Sequence, residues 1–143
     1  MQEIWRKTSE LFLKPHIVPL ARQSIEILKL LRSVAEDSQF VFPGMGPNNA
    51  VMSEGTILVA LKRMGYKGKM TGHGFRGVAS TILHGDGYVN EHVEVQLAHL
   101  TWDKVSGAYN YAEYLEPRTK MMQDWADFLE ETLRTGKLLL MHP

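Results

Sequence analysis

Apolar residues recur at helical spacing through most of this chain, in segments separated by stretches that contain glycine and proline. This spacing places the apolar side chains on one face of each helix and predicts amphipathic helices around a shared core. The predicted helices cover 21–35, a segment from a Ser53 cap to Gly65, 71–84 with Thr71 as its cap and Gly85-Asp86-Gly87 as its stop, a segment capped by Asn90, 105–115, and 117–136 beginning at Pro117. Residues 16–20, which contain Pro19 and follow Pro15, predict an edge strand or an extended segment instead of a central strand. We therefore expect a mainly α fold with a small N-terminal antiparallel β element.

The length of 143 residues fits a single domain over residues 1–143. The chain has no cysteine, which excludes a disulfide framework and cysteine catalysis. No apolar run approaches the ~20 residues of a membrane span, and the first residues lack the apolar stretch of a signal peptide. These features predict a cytoplasmic protein.

Charge is distributed unevenly although the formal net charge is zero. Residues 55–85, here called the basic window, contain no acidic residue. The basic residues in it are Lys62, Arg63, Lys67, Lys69 and Arg76. A local excess of positive charge is typical of a surface that contacts nucleic-acid phosphates, and a solvated face is the alternative interpretation.

Two residues near the start of the third predicted helix are candidates for binding an anion. His73 and Arg76 are three residues apart, so they are neighbours on the helix surface, next to free backbone N–H groups. Gly72 and Gly74 leave room for close approach of a ligand. Taken alone, this spacing is a weak signal and favours surface residues that bind nothing.

Two further candidates follow in the chain. His99 falls at the end of the next predicted helix, where an imidazole can bind a phosphate oxygen or cap the helix C-terminus. Tyr109 lies beside the apolar stripe of the following segment, and its spacing alone favours a core aromatic.

Taken together, these residues form a recognisable order. His73-Gly74-Phe75-Arg76, Leu97-Ala98-His99 and Ala108-Tyr109-Asn110 resemble the signature of the tyrosine recombinases. The segments 15–20, 64–66, 70–76, 109–116 and 121–127 resemble integrases of P4-like phages and genomic islands in particular. The resemblance extends from about Pro15 to Leu129 and implies the C-terminal part of an integrase catalytic domain, without the N-terminal arm-binding and core-binding domains.

The resemblance implies site-specific recombination and integration of double-stranded DNA through a 3′-phosphotyrosyl intermediate. Tyr109 would be the nucleophile and Arg76 would bind the non-bridging oxygens. His73 would orient the phosphate and assist proton transfer, and His99 would hydrogen-bond an oxygen in the transition state. Lys62, Arg63, Lys67 and Lys69 would contact the DNA backbone. The family needs no metal or other cofactor, and its full-length members act as tetramers on DNA.

Two departures from the family pattern reduce the expected activity of this chain, and a third, at Ala98, is minor. It contains no counterpart of the first catalytic arginine, and the expected position of the hairpin lysine falls near Leu11. Ala98 stands where the family commonly has glycine. The 143 residues alone are therefore expected to be inactive or very weakly active. The alternatives are an integrase remnant that binds DNA or a partner without chemistry, and an unrelated helical phosphate-binding protein.

Overall fold

The computed structural model describes residues 4–9, 12–35, 38–44, 51–98 and 114–137. The elements are two strands and five helices in these ranges: β1 (Ile4–Ser9), β2 (Phe12–Pro19), α1 (Arg22–Ala35), α2 (Thr56–Arg63), α3 (Gly72–Gly85), α4 (Asn90–Leu97) and α5 (Leu115–Thr135). The prediction of a mainly helical chain with a small N-terminal β element is confirmed. No helix in the described ranges is long and apolar enough to cross a membrane.

Strands β1 and β2 form an antiparallel hairpin. Ile4 lies opposite Pro19 and Lys7 opposite His16, with an irregularity between Lys7 and Ser9. The sequence predicts an edge or extended segment at 16–20, because proline is rare in central strands. In this two-stranded sheet both strands are edges, so Pro19 at the end of the ladder costs little pairing.

The chain divides into two compact units. Unit 1 comprises Met1–Ile25 and Ser80–Pro143, and unit 2 comprises Glu26–Ala79. Helices α1 and α3 each contribute residues to both units.

The core of unit 1 is formed by the end of α3 together with α4 and α5. Leu83, Val93 and Met121 are almost completely buried, and partly buried Tyr88, Leu97 and Trp125 pack against them. Each comes from a stripe predicted from helical spacing, except Tyr88, which lies between helices. The stripe on α5 extends to Phe128, whereas Leu133 is exposed. The spacing of the apolar residues thus predicts which face of α5 is buried, but it does not predict where along the helix the burial ends.

In unit 2 the predicted stripes are less buried than their pattern suggests. Leu61 is the buried apolar residue of α2, while Ile57, Leu58 and Met64 are exposed. On α3, Phe75 is also exposed. Periodicity reports which residues share a face of a helix, and burial depends on what else packs there.

Three predicted helix starts are wrong. Helix α2 begins at Thr56 after Gly55, and Ser53 bonds the Thr56 hydroxyl instead of capping the backbone. Asn90 is the first residue of α4, and its Oδ1 lies 3.1 Å from His84 Nε2. Pro117 is the third residue of α5, not the first.

The predicted stops are confirmed. Gly65, Gly87 and Gly136 follow α2, α3 and α5 with φ of +86°, +85° and +66°. Glycine adopts this left-handed backbone without steric cost, so it ends a helix readily.

Candidate functional site

The N-terminus of α3 is capped as its sequence predicts. The Gly74 N–H donates to Thr71 Oγ1 at 3.0 Å, which satisfies one of the N–H groups that a helix start leaves without a helical partner. The first turn of α3 contains no acidic residue. The positive end of the helix dipole is therefore not neutralised by a carboxylate of its own first turn, and it can attract an anion.

His73 and Arg76 both lie at this end of α3. The His73 side chain is exposed and Arg76 is half-buried. Their separation by three residues places an imidazole and a guanidinium side by side on one helix. An exposed histidine beside a half-buried arginine on one helix is a suitable arrangement for binding a phosphate.

Gly74, between these two residues, allows the preceding loop to approach closely. A Cβ at position 74 would lie 2.7 Å from Met70 Sδ, closer than such atoms pack. The loop itself is a tight turn, since the N–H groups of Lys69 and Met70 both donate to the Tyr66 carbonyl, at 3.0 and 3.2 Å. The Met70 side chain, at the end of this loop, thus lies close to Gly74 in the first turn of α3.

The predicted DNA-contacting residues all lie in unit 2 and all are exposed. Lys62 and Arg63 are in the last turn of α2, and Lys67 and Lys69 are in the loop before α3. Arg76 belongs to the same unit. Exposed side chains on consecutive elements can contact neighbouring phosphates without first breaking interactions in a core.

His99 and Tyr109 lie outside the described residues. The structure therefore brings His73 and Arg76 together on one helix, and the convergence of all four catalytic candidates stays a prediction. Helix α4 ends at Leu97, and Ala98 follows in the left-handed region with φ of +51°. Tyr114 is the next described residue, and its backbone is also in the left-handed region, with φ of +65°.

Arg118 is a residue of unit 1 that the sequence interpretation missed. Its side chain is fully buried, with 0% exposure. Its Nε and Nη2 donate to Gln96 Oε1 at 3.0 and 2.8 Å, and Nη2 also donates to the Ile17 carbonyl at 2.6 Å. One guanidinium thus joins β2, α4 and α5.

The environment of Arg118 is unfavourable for charge. Its Nη1 has no hydrogen-bond partner among the described residues. Burial lowers the pKa of Arg118 to about 10, so the guanidinium is still charged at neutral pH. A signal for this position existed, because Arg118 precedes Met121 by three residues and Trp125 by seven and so lies on the buried stripe of α5.

A second polar contact of unit 1 involves Tyr88. Its hydroxyl donates to Asp124 Oδ2 at 2.5 Å, and Lys120 Nζ lies 2.5 Å from the same oxygen. Burial, followed by the hydrogen bond to Asp124, raises the pKa of Tyr88 well above its ordinary value. This phenol is therefore protonated at neutral pH and serves as a hydrogen-bond donor that connects the α3–α4 turn to α5.

Comparison with known proteins bears directly on function. The chain is 43% identical to the integrase of Shigella phage Sf6 over 122 residues, which are 85% of the chain. It is 42% identical to the prophage integrase IntS of Escherichia coli (strain K12) over 82% of the chain, and 41% identical to the integrase of Enterobacteria phage P4 over 80%.

Over most of its length, this chain is similar to phage and prophage integrases. The matched stretch is only 32%, 31% and 27% of those three relatives, so the chain spans about a third of an integrase of this kind. No family model matches the chain. No solved structure matches it either.

Proposed function

We propose that this chain is part of a tyrosine recombinase of the P4-like integrases and that it takes part in breaking and rejoining double-stranded DNA. The observation that carries the proposal is the capped N-terminus of α3, where His73 and Arg76 lie together in a segment without acidic residues. Similarity to integrases over 80–85% of the chain supports the same function.

In this proposal the phosphate to be cleaved lies at the start of α3. Arg76 binds its non-bridging oxygens, and the helix N-terminus adds positive potential. The Tyr109 oxygen attacks the phosphorus, a 3′-phosphotyrosyl bond forms, and the bond to the 5′ oxygen breaks. His73 assists removal of the phenolic proton, the leaving 5′ oxygen gains a proton, and His99 donates a hydrogen bond to the developing charge. Reversal of these steps by another 5′-hydroxyl rejoins the strand.

The exposed residues Lys62, Arg63, Lys67 and Lys69 bind the phosphates that flank this position. Contacts of this kind are independent of base sequence and fix the register of the protein on the duplex. The full-length enzyme is proposed to act as a homotetramer on its attachment sites.

Binding of a short duplex by the 143-residue protein, followed by fluorescence anisotropy, tests the site. Arg76→Gln and His73→Gln should each weaken binding, because each removes a group that binds phosphate. Lys29→Gln is the matched control, since Lys29 is exposed on α1 outside the basic window. Equal affinities for wild type, both site variants and the control would contradict the proposed site.

A second candidate is an integrase remnant that binds DNA without chemistry. It is favoured by Leu11, which stands near the expected position of the hairpin lysine, and by the lack of a first-arginine motif in these residues. Removing one charged group that binds the phosphate typically costs about 10²–10³ in rate. We therefore expect suicide substrates to trap no appreciable Tyr109–DNA adduct with the 143 residues alone, and an abundant adduct would refute this expectation.

A further inference from the structure

The segment between α2 and α3, residues 64–70, presents two large apolar side chains to solvent; it is called the α2–α3 turn below. Tyr66 is 50% exposed and Met64 is 63% exposed, whereas Leu61 on the preceding helix is buried. Exposed apolar groups close together in the chain and bordered by charged residues are typical of a contact site. The side chains of this turn are therefore candidates for binding a partner.

The backbone of the α2–α3 turn is held in place although its side chains are exposed. The Tyr66 N–H donates to the carbonyl of buried Leu61 at 2.9 Å. The Tyr66 carbonyl accepts from the N–H groups of Lys69 and Met70, at 3.0 and 3.2 Å. Gly65, just before the tyrosine, adopts φ of +86°, which a residue with a side chain rarely adopts. Because the backbone is fixed on both sides of Tyr66, its ring can bind a ligand with little further loss of conformational freedom.

Positive charge is concentrated in the same stretch of chain. Residues 55–85 contain no acidic residue. The exposed cationic residues on either side of Met64 and Tyr66 in the chain are Lys62, Arg63, Lys67 and Lys69. Interfaces between proteins are depleted in lysine, so this composition fits a polyanion better than another protein.

A tyrosine ring among lysines and arginine is the combination that binds nucleic-acid strands with unpaired bases. Every base has a flat face on which an aromatic side chain can stack, and cations beside the aromatic bind the phosphates. In an intact duplex the neighbouring base pairs cover these faces, and only the base edges are accessible in the grooves. The proposed reaction supplies unpaired bases, because a freed 5′-hydroxyl end must separate from its complementary strand before another end replaces it.

We infer that the α2–α3 turn binds unpaired bases of a DNA strand, with the Tyr66 ring stacked on a base and the lysines of the turn on the adjoining phosphates. This inference rests on the proposed function and specifies the form of DNA that unit 2 recognises. The turn adjoins the first turn of α3 within the same unit, because Met70 bonds the Tyr66 carbonyl and its side chain lies close to Gly74. An unpaired strand bound here is thus held beside the proposed phosphate site.

Fluorescence anisotropy of the 143-residue protein with three labelled DNAs tests this inference. The DNAs are an intact duplex, the same duplex with a short single-stranded gap, and a gapped duplex whose unpaired nucleotides lack bases. The protein should bind the gapped DNA with bases more tightly than the other two. Tyr66→Ala should weaken binding to this DNA by about 5- to 150-fold, the contribution of stacking on one base. Its affinity for the intact duplex should not change, because the cationic residues are intact.

Three further variants separate stacking from stability. Tyr66→Phe keeps an aromatic ring and should retain the preference for gapped DNA. Phe42→Ala removes another aromatic side chain of unit 2, 47% exposed and outside the basic window, and should also retain it. Tyr66→Leu replaces Tyr66→Ala if the alanine variant does not fold, since leucine keeps apolar bulk without a flat face and should lose the preference.

The outcomes distinguish this inference from the proposed function. A wild-type protein that binds the duplex without preferring the gapped DNA would overturn the inference and leave the proposed function intact. A preference that persists in folded Tyr66→Ala, or on the gap without bases, would also overturn it, because stacking would not be its source. Equal weakening of duplex and gapped binding by Tyr66→Ala would assign the ring to the grooves of paired DNA instead. A wild-type protein that binds none of the three DNAs would contradict the proposed function as well.

Discussion

Two nitrogens of Arg118, Nε and Nη2, donate to one acceptor atom of Gln96, its Oε1, at 3.0 and 2.8 Å. The guanidinium is fully buried, and its charge has only neutral hydrogen-bond partners among the described residues. Removing either partner alone therefore destabilises the protein, because the other partner loses hydrogen bonds that it makes away from bulk solvent.

We predict that the energies of the two substitutions are not additive. Gln96→Leu leaves the buried Arg118 charge with one acceptor, the Ile17 carbonyl. Arg118→Met leaves two oxygens, the Gln96 Oε1 and the Ile17 carbonyl, without this donor. Each unsatisfied polar group costs about 1–3 kcal/mol of stability. The double variant should lose less stability than the sum of the single variants by about 1–3 kcal/mol. Urea unfolding followed by tryptophan fluorescence measures all three, and strict additivity would show that the contact contributes nothing.

Tyr88 makes stability sensitive to alkaline pH. Its pKa is raised in the folded state, so above the ordinary tyrosine pKa of about 10 the unfolded chain loses a proton that the folded protein keeps. The unfolded state then binds fewer protons, and stability falls as pH rises. Tyr88→Phe should flatten this decline between about pH 9 and 11, measured by urea unfolding at several pH values. An unchanged slope would contradict the raised pKa.

The lowered pKa of Arg118 acts with the opposite sign. Its folded pKa is about 10, against 12.5 for an ordinary arginine, so between these values the unfolded chain binds the extra proton and stability rises with pH. Below about pH 10 the cost of this buried charge is constant. Tyr88→Phe and the wild-type protein both keep Arg118, so the difference between their stabilities at each pH reports on Tyr88.

Ala98 adopts a backbone conformation that favours glycine. At φ of +51° the Cβ of an L-residue costs roughly 1–2 kcal/mol, which glycine avoids. We predict that Ala98→Gly stabilises the protein by about 1 kcal/mol, although glycine is more flexible when unfolded. Ala126→Gly, inside α5, is the matched control and should cost about 1 kcal/mol. Destabilisation by both substitutions would contradict the left-handed cap.

The exposed lysines of the loop before α3 should determine the salt dependence of DNA binding. Each lysine that neutralises a phosphate adds about 0.9 to the slope of log affinity against log salt, so Lys67→Gln/Lys69→Gln should lower the slope by roughly 2. Anisotropy titrations with duplex DNA at several salt concentrations measure the slope. A double variant whose slope of log affinity against log salt equals that of Lys29→Gln would contradict the proposal.

Local signals in the sequence identified the features that depend on a few neighbouring residues. Thr71 was predicted to cap α3 and does so, because its hydroxyl needs only the Gly74 N–H three residues on. Gly65 and Gly136 were predicted to end helices and do so, because their backbone conformation is a local property.

Features that depend on distant partners were not predictable in this way. Asn90 looks like a cap in the sequence, but its side chain lies against His84 instead. Helical spacing places Arg118 on the same face of α5 as Met121, but the burial of an arginine there depends on Gln96 and on Ile17, which lies 101 residues away. The same distinction applies to the proposed site. The pairing of His73 with Arg76 follows from local spacing, whereas contact of this pair with Tyr109 does not.

Formation of a covalent DNA adduct through Tyr109 is the most direct test of the central claim. The suitable protein is a chimera in which the 122 matched residues of this chain replace the aligned stretch of the Shigella phage Sf6 integrase, which supplies the rest of the protein. With a suicide substrate carrying the Sf6 attachment site, and the parent integrase as positive control, we predict an adduct that disappears in Tyr109→Phe and falls by about 10²–10³ in rate in Arg76→Gln. An adduct that survives Tyr109→Phe, or a folded, DNA-binding chimera that forms none while the parent does, would contradict the claim that these residues form an integrase active site.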